Sequence, residues 1–234
     1  MSNELTLDLS HLDSGLRLRV LGGPLLDRAP DLELQVVVEE AAQLTGFPIA
    51  LISLVVSRIQ FFRAHVGLPA DLEAARATDR CNSFCQYVVS GNRPLEIADA
   101  MRQPGLPQEL VRRYGIRSYI GYPLRILGQT VGSLCVMDVE PRTVGQAERT
   151  VLEGLARRAT ARLERMSVQW AVPGAPPPSA SELKANGARI DAFERQQVMS
   201  LSEQFAVGRL SPDEFQRALG ALATMTGSLG LQLL

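Results

Sequence analysis

The chain has 234 residues with 24 basic and 25 acidic side chains, a formal net charge of −1. This length suffices for one sizeable domain and a smaller element, and the balanced charge argues against nucleic acid or an anionic membrane as a partner. The three cysteines form neither a CxxC pair nor a disulfide framework, so the sequence predicts a protein of the reducing cytoplasm.

The first half of the chain predicts a helix followed by a strand pair. Residues 1–15 lack the basic and apolar regions of a secretory signal and are expected to be a flexible N-terminus. Residues 31–45 carry apolar side chains at helical spacing, and Gly46 follows them as a stop signal. The β-branched and aliphatic run 49–56 and the segment 59–66 then read as two strands joined by a tight turn.

The middle of the chain is less regular. It predicts short elements in this order: a short helix within 69–77, a helix ended by Gly91, a strand at 95–98, a loop at 99–107 and a helix ended by Gly115. A hairpin of strands 117–126 and 129–138 follows, and a helix from about residue 145 to 166 completes the unit.

These elements predict an α+β domain over residues 16–168. Strands joined by tight turns pair antiparallel, which gives a sheet of about five to six strands. The long terminal helices must cover one face of this sheet, and the short helices and loops must cover the other.

The remainder of the chain reads as a linker and a tail. Residues 169–181 are rich in proline and predict a semi-extended linker. Residues 182–234 predict a helical hairpin, with Ser211 as the N-cap of its second helix. The uncharged segment 218–234 is too short and too rich in glycine to favour a membrane-spanning helix.

Four segments, in order, resemble the GAF domain of bacterial signalling proteins: PIALISLV, IQFFRAHVGLP, SFCQYVVSGNRPLEIADA and GIRSYIGYPLRILGQTVGSLCVMDVEPRTV. The resemblance runs from about Leu16 to Glu164. It implies a pocket for a small molecule or a partner between sheet and cover, and dimerisation through the terminal helices. Gln86, where bilin-binding relatives have histidine after the attachment cysteine, argues against a covalent bilin, and no cofactor is assigned. The tail faintly resembles short oligomerisation hairpins.

The expected pocket draws its candidates from the side of the sheet that faces the cover. On strand 117–126 the period-2 rule places Arg117 and Tyr119 on one side and Ile120 and Tyr122 on the other. The predicted ligand-binding residues are Phe84, Cys85, Asp99, Arg117, Tyr119 and Cys135. The alternative is that these side chains only pack and hydrogen-bond locally, with Asp99 in an Asx turn.

The cysteines leave a second function open. Cys81 lies beside Arg80 at the start of a predicted helix, a setting that lowers a thiol pKa, and is the redox candidate. Unpaired cysteines are usually small core residues, and this is the interpretation that we favour for Cys85 and Cys135. The spacing of the three cysteines and His65 does not match a structural zinc site, and no metal is predicted.

Two apolar stripes predict a homodimer. They consist of Leu152, Leu155, Ala159 and Leu163 on the helix at 145–166, and Phe215, Leu219 and Leu222 in the tail. Such stripes must dock on the sheet domain or on a second chain, and the second chain is our expectation.

The sequence therefore predicts a non-enzymatic sensory module that binds a small molecule or a protein partner and signals through a helix-mediated dimer to a downstream protein. It contains no GxSxG motif and no evident carboxylate pair. A thiol-based redox sensor or redox enzyme using Cys81, Cys85 or Cys135 is the alternative. A third hypothesis is that the protein is an interaction scaffold whose pocket is filled by its own side chains.

Overall fold

The sheet at the centre of the computed structural model has six strands, each antiparallel to its neighbours. The structure describes residues 5–167 and 179–228. The strands are β1 (Ile49–Val55), β2 (Ile59–Val66), β3 (Ala77–Asp79), β4 (Leu95–Ile97), β5 (Ser118–Ile126) and β6 (Gln129–Asp138). Their spatial order is β3-β2-β1-β6-β5-β4, which confirms the predicted α+β class.

The two central strands are buried on both faces. Every residue of β1 is buried, and so are all residues of β6 except its two ends. A strand covered on both sides reads as a continuous apolar run, because neither set of alternating side chains meets water. This explains why the segment 49–55 lacks polar alternation.

Ten helices accompany the sheet in the described parts of the chain. They are α1 (Leu9–Leu12), α2 (Gly15–Val20), α3 (Leu32–Thr45), α4 (Ala70–Ala75), α5 (Cys85–Gly91), α6 (Glu109–Tyr114), α7 (Gln146–Ser167), α8 (Ala180–Ala206), α9 (Pro212–Ala221) and α10 (Ala223–Ser228). Short 3₁₀ turns at Gly23–Leu26, Arg80–Asn82 and Ala100–Arg102 complete the connections.

One face of the sheet is covered by the long helices. α3 and α7 lie against it as predicted, and side chains of α8 join the same apolar cluster. α3 is bounded by local signals, since the Asp31 carboxylate accepts a hydrogen bond from the Leu34 N–H and Gly46 ends the helix at a φ of 68°. The predicted boundaries of this helix are accurate because its caps are local features.

The opposite face carries the lid, by which we mean α4, α5 and α6 with their connections. A second apolar cluster lies between the lid and the sheet. A flexible terminus was expected over residues 1–15, but residues 5–12 of the described chain contribute to this cluster. Asp8 caps α1, and Leu12 is fully buried beside α5. Burial of one leucine in the second cluster fixes this helix against the lid.

The tail docks on the rest of the chain. Phe193 of α8 packs edge-to-face against Phe61 of β2, with ring centroids 5.1 Å apart. α9 and α10 then pass along β3, which would otherwise be an exposed sheet edge. Capping boxes at Ser179 and Ser211 start α8 and α9, the second as predicted. α8 begins at Ala180, within the predicted linker, and residues 168–178 and 229–234 lie outside the described residues.

A bulge in β2 changes which residues face the lid. Ile52 pairs with Ala64 and Ser53 pairs with Phe62, so Arg63 is the extra residue. Phe61 and Ala64 consequently face the long helices, and Phe62 faces the lid. Unbroken alternation would place His65 on the same face of the sheet as Phe61. Because of the bulge, His65 does not share that face.

Among the described residues, no helix combines the length and the apolar character that a bilayer-crossing segment needs.

Candidate functional site

A cavity lies between the sheet and the lid. Its walls come from β1, β2, β3, β5 and β6 below and from α4, α5 and α6 above. The lining is apolar except for a few polar side chains, among them Gln60, Thr78 and Tyr114. The cavity volume open to water-sized molecules is about 30 Å³, which holds about two water molecules. In this conformation the lid leaves no room for a larger molecule.

The lid helices end at residues in the left-handed region. Arg76 (φ 54°) terminates α4, Asn92 (φ 48°) terminates α5, and Gly115 (φ 70°) terminates α6. The sequence predicts Gly115 correctly, but it assigns the end of α5 to Gly91. Asparagine tolerates this backbone region, and the Asn92 side chain accepts hydrogen bonds from Arg125 and Thr130 that hold it there.

Three of the predicted ligand-binding residues line the cavity, namely Phe84, Cys85 and Tyr119. The rings of Phe84 and Tyr119 meet edge-to-face with centroids 5.6 Å apart. Cys135 does not line the cavity; its sulfur lies 3.7 Å from that of Cys85, deeper in the sheet. The period-2 assignment of Tyr119 to the lid face holds, because β5 contains no bulge before Leu124.

Asp99 and Arg117 do not line the cavity, contrary to the prediction. Two hydrogen bonds of 2.8 Å join the Arg117 guanidinium to both oxygens of Asp99. Hydrogen bonding to Arg117 lowers the pKa of Asp99, and the same contact raises the pKa of Arg117. Asp99 also accepts from the Met101 N–H, the Asx turn considered as the alternative. This pair closes the connection between β4 and β5.

Cys81 is exposed and lies outside the cavity lining. The neighbouring Arg80, expected to lower its pKa, instead forms an ion pair with Asp13 at 2.6 Å. The redox role of Cys81 stays a prediction.

The predicted dimer stripes are covered within this chain. Leu152, Leu155, Ala159, Leu163, Leu219 and Leu222 are all buried in the cluster on the long-helix side of the sheet. Phe215 is half-buried and stacks on Phe205, with ring centroids 4.4 Å apart. The stripes dock on the sheet domain rather than on the second chain that we expected, and the α7 stripe offers no free surface here.

Sequence reasoning missed the polar cluster beneath the cavity. Gln60 donates from Nε2 to the Cys85 sulfur at 3.2 Å, and the Tyr119 hydroxyl donates to the same sulfur at 3.3 Å. Ser53 and Ser133 are paired across β1 and β6 behind this sulfur. The available signal was the presence of glutamine and serine in strands that are otherwise apolar, because buried polar groups need partners.

Gly121 makes room for this arrangement. A Cβ at this position would lie 2.2 Å from the Tyr119 hydroxyl oxygen. The ring of Tyr119 therefore lies along its own strand over Gly121, and its hydroxyl reaches Cys85.

Asp79 joins the sheet edge to the tail. It is 1% exposed, and its Oδ2 accepts a hydrogen bond of 2.7 Å from the Thr224 N–H at the start of α10. Its other oxygen has no hydrogen-bond partner in the described parts of the chain. Burial raises the pKa of Asp79, because the hydrogen bonds from α10 only partly offset the loss of water.

The raised pKa of the Asp79 carboxyl predicts that the stability of the protein depends on pH. Its folded-state pKa is raised, so its contribution is fully present below the ordinary pKa of an aspartate and is lost as pH rises through the folded pKa. We expect Asp79→Asn to reduce the fall in the free energy of unfolding across this window. Urea unfolding of both proteins from pH 4 to pH 8 measures it, and equal slopes for the two would contradict the assignment.

Within the described ranges, no three histidine, cysteine, aspartate or glutamate side chains are grouped so that they could hold a metal ion.

Comparison with known proteins places this architecture among signalling domains. The family model described as GAF domain matches residues 30–163. A cyclic di-GMP phosphodiesterase of Pseudomonas aeruginosa is 35% identical over 146 residues, which are 61% of this chain and 24% of that protein. The chain thus spans about a quarter of the length of this curated relative.

Two solved structures share the fold. The GAF domain of a phosphoenolpyruvate-protein phosphotransferase from Coxiella burnetii superposes with a TM-score of 0.52 at 17% identity, covering 69% of this chain and 95% of that one. A segment of a methyl-accepting chemotaxis protein gives a TM-score of 0.50 at 16% identity, covering 63% and 97%.

Proposed function

Because this chain belongs to the GAF domain family, whose members are sensory and signalling domains, we propose that it is a non-enzymatic regulatory module. It binds a small, largely apolar molecule between the sheet and the lid. The observation that carries the proposal is the apolar cavity beneath the lid, in whose lining Gln60 and Tyr119 converge on the sulfur of Cys85. A few polar groups at one end of an apolar site are what orient a small ligand.

The ligand enters when the lid moves outward. The present volume of about 30 Å³ corresponds to a closed lid, and α4 and α6 are the elements that must shift. Opening is favoured by a ligand only to the extent that the ligand binds the open form more tightly than the closed form.

The tail reports the position of the lid. The Tyr114 hydroxyl on α6 donates to the buried Asp71 of α4 at 3.0 Å, and Arg217 of α9 lies 3.7 Å from the same carboxylate. Arg113 of α6 donates to the backbone carbonyl of Arg217 at 3.1 Å. A lid that moves must therefore strain or break the contacts that hold α9.

Release of the tail supplies the proposed output. Phe215, Leu219 and Leu222 become accessible once α9 leaves the lid, and they are the surface through which we place a homodimer or a downstream signalling protein. The Pseudomonas relative is named a phosphodiesterase, but this chain covers 24% of it, and we carry over no catalytic activity.

A second candidate function is thiol-based sensing. It is favoured by one observation, the 3.7 Å separation of the Cys85 and Cys135 sulfurs. Thiol-based sensing requires only a small oxidant that reaches the thiols.

Native mass spectrometry and a cavity-filling variant test the first function. We expect the purified protein to retain a small molecule, or indole to raise its Tm by at least about 2 °C at saturation. Leu72→Phe fills the cavity from α4 and should abolish both effects, whereas Leu32→Phe, at a leucine that is 79% exposed, should preserve them. The same spectra report the stoichiometry.

A wild-type protein that neither retains a molecule nor responds to indole would contradict ligand sensing. It would favour the scaffold whose pocket is filled by side chains.

A further inference from the structure

The two buried thiols are adjacent but not bonded. Cys85 is the first residue of α5 in the lid, and Cys135 lies in the central strand β6 opposite Leu51 and Gly121. Both are free and at most 2% exposed, and their sulfurs are 3.7 Å apart. A disulfide has an S–S distance of about 2.05 Å, so a total sulfur movement of about 1.7 Å would join them.

Their surroundings divide the two thiols into different roles. Two donors, Gln60 Nε2 and the Tyr119 hydroxyl, point at the Cys85 sulfur. Burial opposes ionisation of Cys85, but hydrogen bonds from Cys135, Ser133, Ser53 and Tyr119 outweigh it and lower the pKa of this thiol.

Cys135 behaves in the opposite way. Burial, together with its hydrogen bond to Cys85, raises its pKa. Burial also raises the pKa of Tyr119, which therefore remains a proton donor. Cys85 is the thiol that ionises first, and the thiolate is the nucleophilic form.

The cavity gives a small oxidant access to Cys85. Cys85 lines it, whereas Cys135 does not. A volume of about 30 Å³ accommodates a molecule of two oxygen atoms such as hydrogen peroxide without movement of the lid.

We propose that Cys85 and Cys135 form a peroxide-operated disulfide that fixes helix α5 of the lid to strand β6. The Cys85 thiolate attacks one oxygen of hydrogen peroxide, the O–O bond breaks, and the leaving hydroxide takes a proton to become water. The Cys135 sulfur attacks the resulting sulfenic acid, the S–O bond breaks as the S–S bond forms, and the Cys135 proton passes to the leaving hydroxide to give a second water. Two thiols are oxidised and one peroxide is reduced to two waters.

The disulfide regulates the cavity. A covalent bond between α5 and β6 holds the floor of the cavity to one wall of the lid, so the oxidised protein admits ligands less readily than the reduced one. The inference rests on the second candidate function, thiol-based sensing, and it is independent of whether a ligand is bound.

The test exposes fully reduced protein to hydrogen peroxide. We expect the intact mass to fall by about 2 Da and a linked peptide pair to contain residues 85 and 135. Cys135→Ser should instead accumulate a sulfenic acid at Cys85 that dimedone traps, and Cys135→Ala replaces it if the serine variant does not fold. Cys81→Ser is the matched control, and its oxidation rate should equal that of the wild type.

The pH profile separates a positioned thiol from a merely buried one. The oxidation rate should rise with pH to a plateau whose midpoint lies below the pKa of an ordinary cysteine, and Tyr119→Phe should move that midpoint upward. A midpoint at or above the ordinary value overturns the role given to Cys85.

The remaining outcomes distinguish the inference from the function on which it rests. A stable sulfenic acid at Cys85 in the wild type, without a disulfide, overturns the disulfide and leaves thiol sensing standing. No oxidation of any cysteine overturns both, and oxidation confined to Cys81 overturns the disulfide and the role of Cys85 and moves thiol sensing to Cys81. Ligand sensing is judged separately by the indole experiment.

Discussion

Glu194→Ala should detach the C-terminal helices from the sheet and lower the free energy of unfolding by about 3 to 4 kcal/mol. Glu194 on α8 is 1% exposed and accepts hydrogen bonds from the Ser57 N–H at 2.9 Å, the Arg58 N–H at 2.6 Å and Arg58 Nε at 2.8 Å. Alanine leaves two backbone donors and a guanidinium without this acceptor. Arg58 keeps its ion pair with Asp191 of α8, but the Ser57 and Arg58 N–H groups lose their acceptor, so the cost falls on docking.

Hydrogen–deuterium exchange with mass spectrometry locates this effect. Peptides of α8, α9 and α10 should exchange at least tenfold faster in Glu194→Ala, a change equivalent to about 1.4 kcal/mol. Peptides of β1 and β6 should keep their protection. Glu203→Ala, at an exposed glutamate of the same helix, is the matched control and should resemble the wild type. Unchanged protection of α8 in Glu194→Ala would mean that other contacts dock the tail.

Arg17→Ala should destabilise the whole domain by about 3 to 5 kcal/mol. Arg17 is fully buried and makes no ion pair in the described residues. Its guanidinium donates to the backbone carbonyls of Leu12, Val55 at 2.5 Å and Val56 at 3.1 Å. Burial and the nearby Arg80 lower its pKa to about 10, so it is still charged at neutral pH.

Two effects oppose each other in this variant. Removing a buried charge relieves a desolvation cost, but it also leaves three carbonyls unpaired and opens a cavity of arginine size. The lost hydrogen bonds are charge-assisted, and their free energy exceeds the desolvation cost that the substitution removes. The variant is therefore destabilised. Urea unfolding measures the difference. Arg157→Ala, at an arginine whose side chain is 69% exposed, should change stability by less than about 0.5 kcal/mol. Equal midpoints for the two variants would contradict this account.

Both predictions concern one corner of the fold. Arg17 binds the carbonyls at the end of β1, and Glu194 binds the amides of the residues that follow. The buried cation of Arg17 thus binds carbonyl oxygens at this turn, and the buried anion of Glu194 binds its N–H groups. The double variant should lose less than the sum of the two single losses, since the sites share this backbone.

The fold was predictable where its determinants are local. The apolar run of β1, the hairpin of β5 and β6, and the stop at Gly115 depend on neighbours within a few positions. The capping box at Ser211 is equally local. The three-residue strand β3 was not predicted, because so short a segment has no period of its own and is fixed by pairing with β2.

The candidate site was predictable only in part. Alternation placed Tyr119 toward the lid, and the order of motifs placed Phe84 and Cys85 there. Alternation placed Arg117 on the same side, but the side chain turns to Asp99 at the end of the strand. The alternation of side chains along a strand assigns each residue to a face of the sheet. It does not predict which side chain at a strand end forms an ion pair outside the cavity.

Local patterns were enough to predict the α+β class and the helical tail, because hydrophobic periodicity and caps are read within one element. Three features emerged only when the elements were packed together: the tail covers this chain's own sheet edge, Cys85 meets Cys135, and Arg17 and Glu194 hold the β1–β2 turn. These contacts join residues 38 to 145 positions apart. The packing of helices and strands against one another determines which distant groups come into contact. No local sequence pattern contains this information.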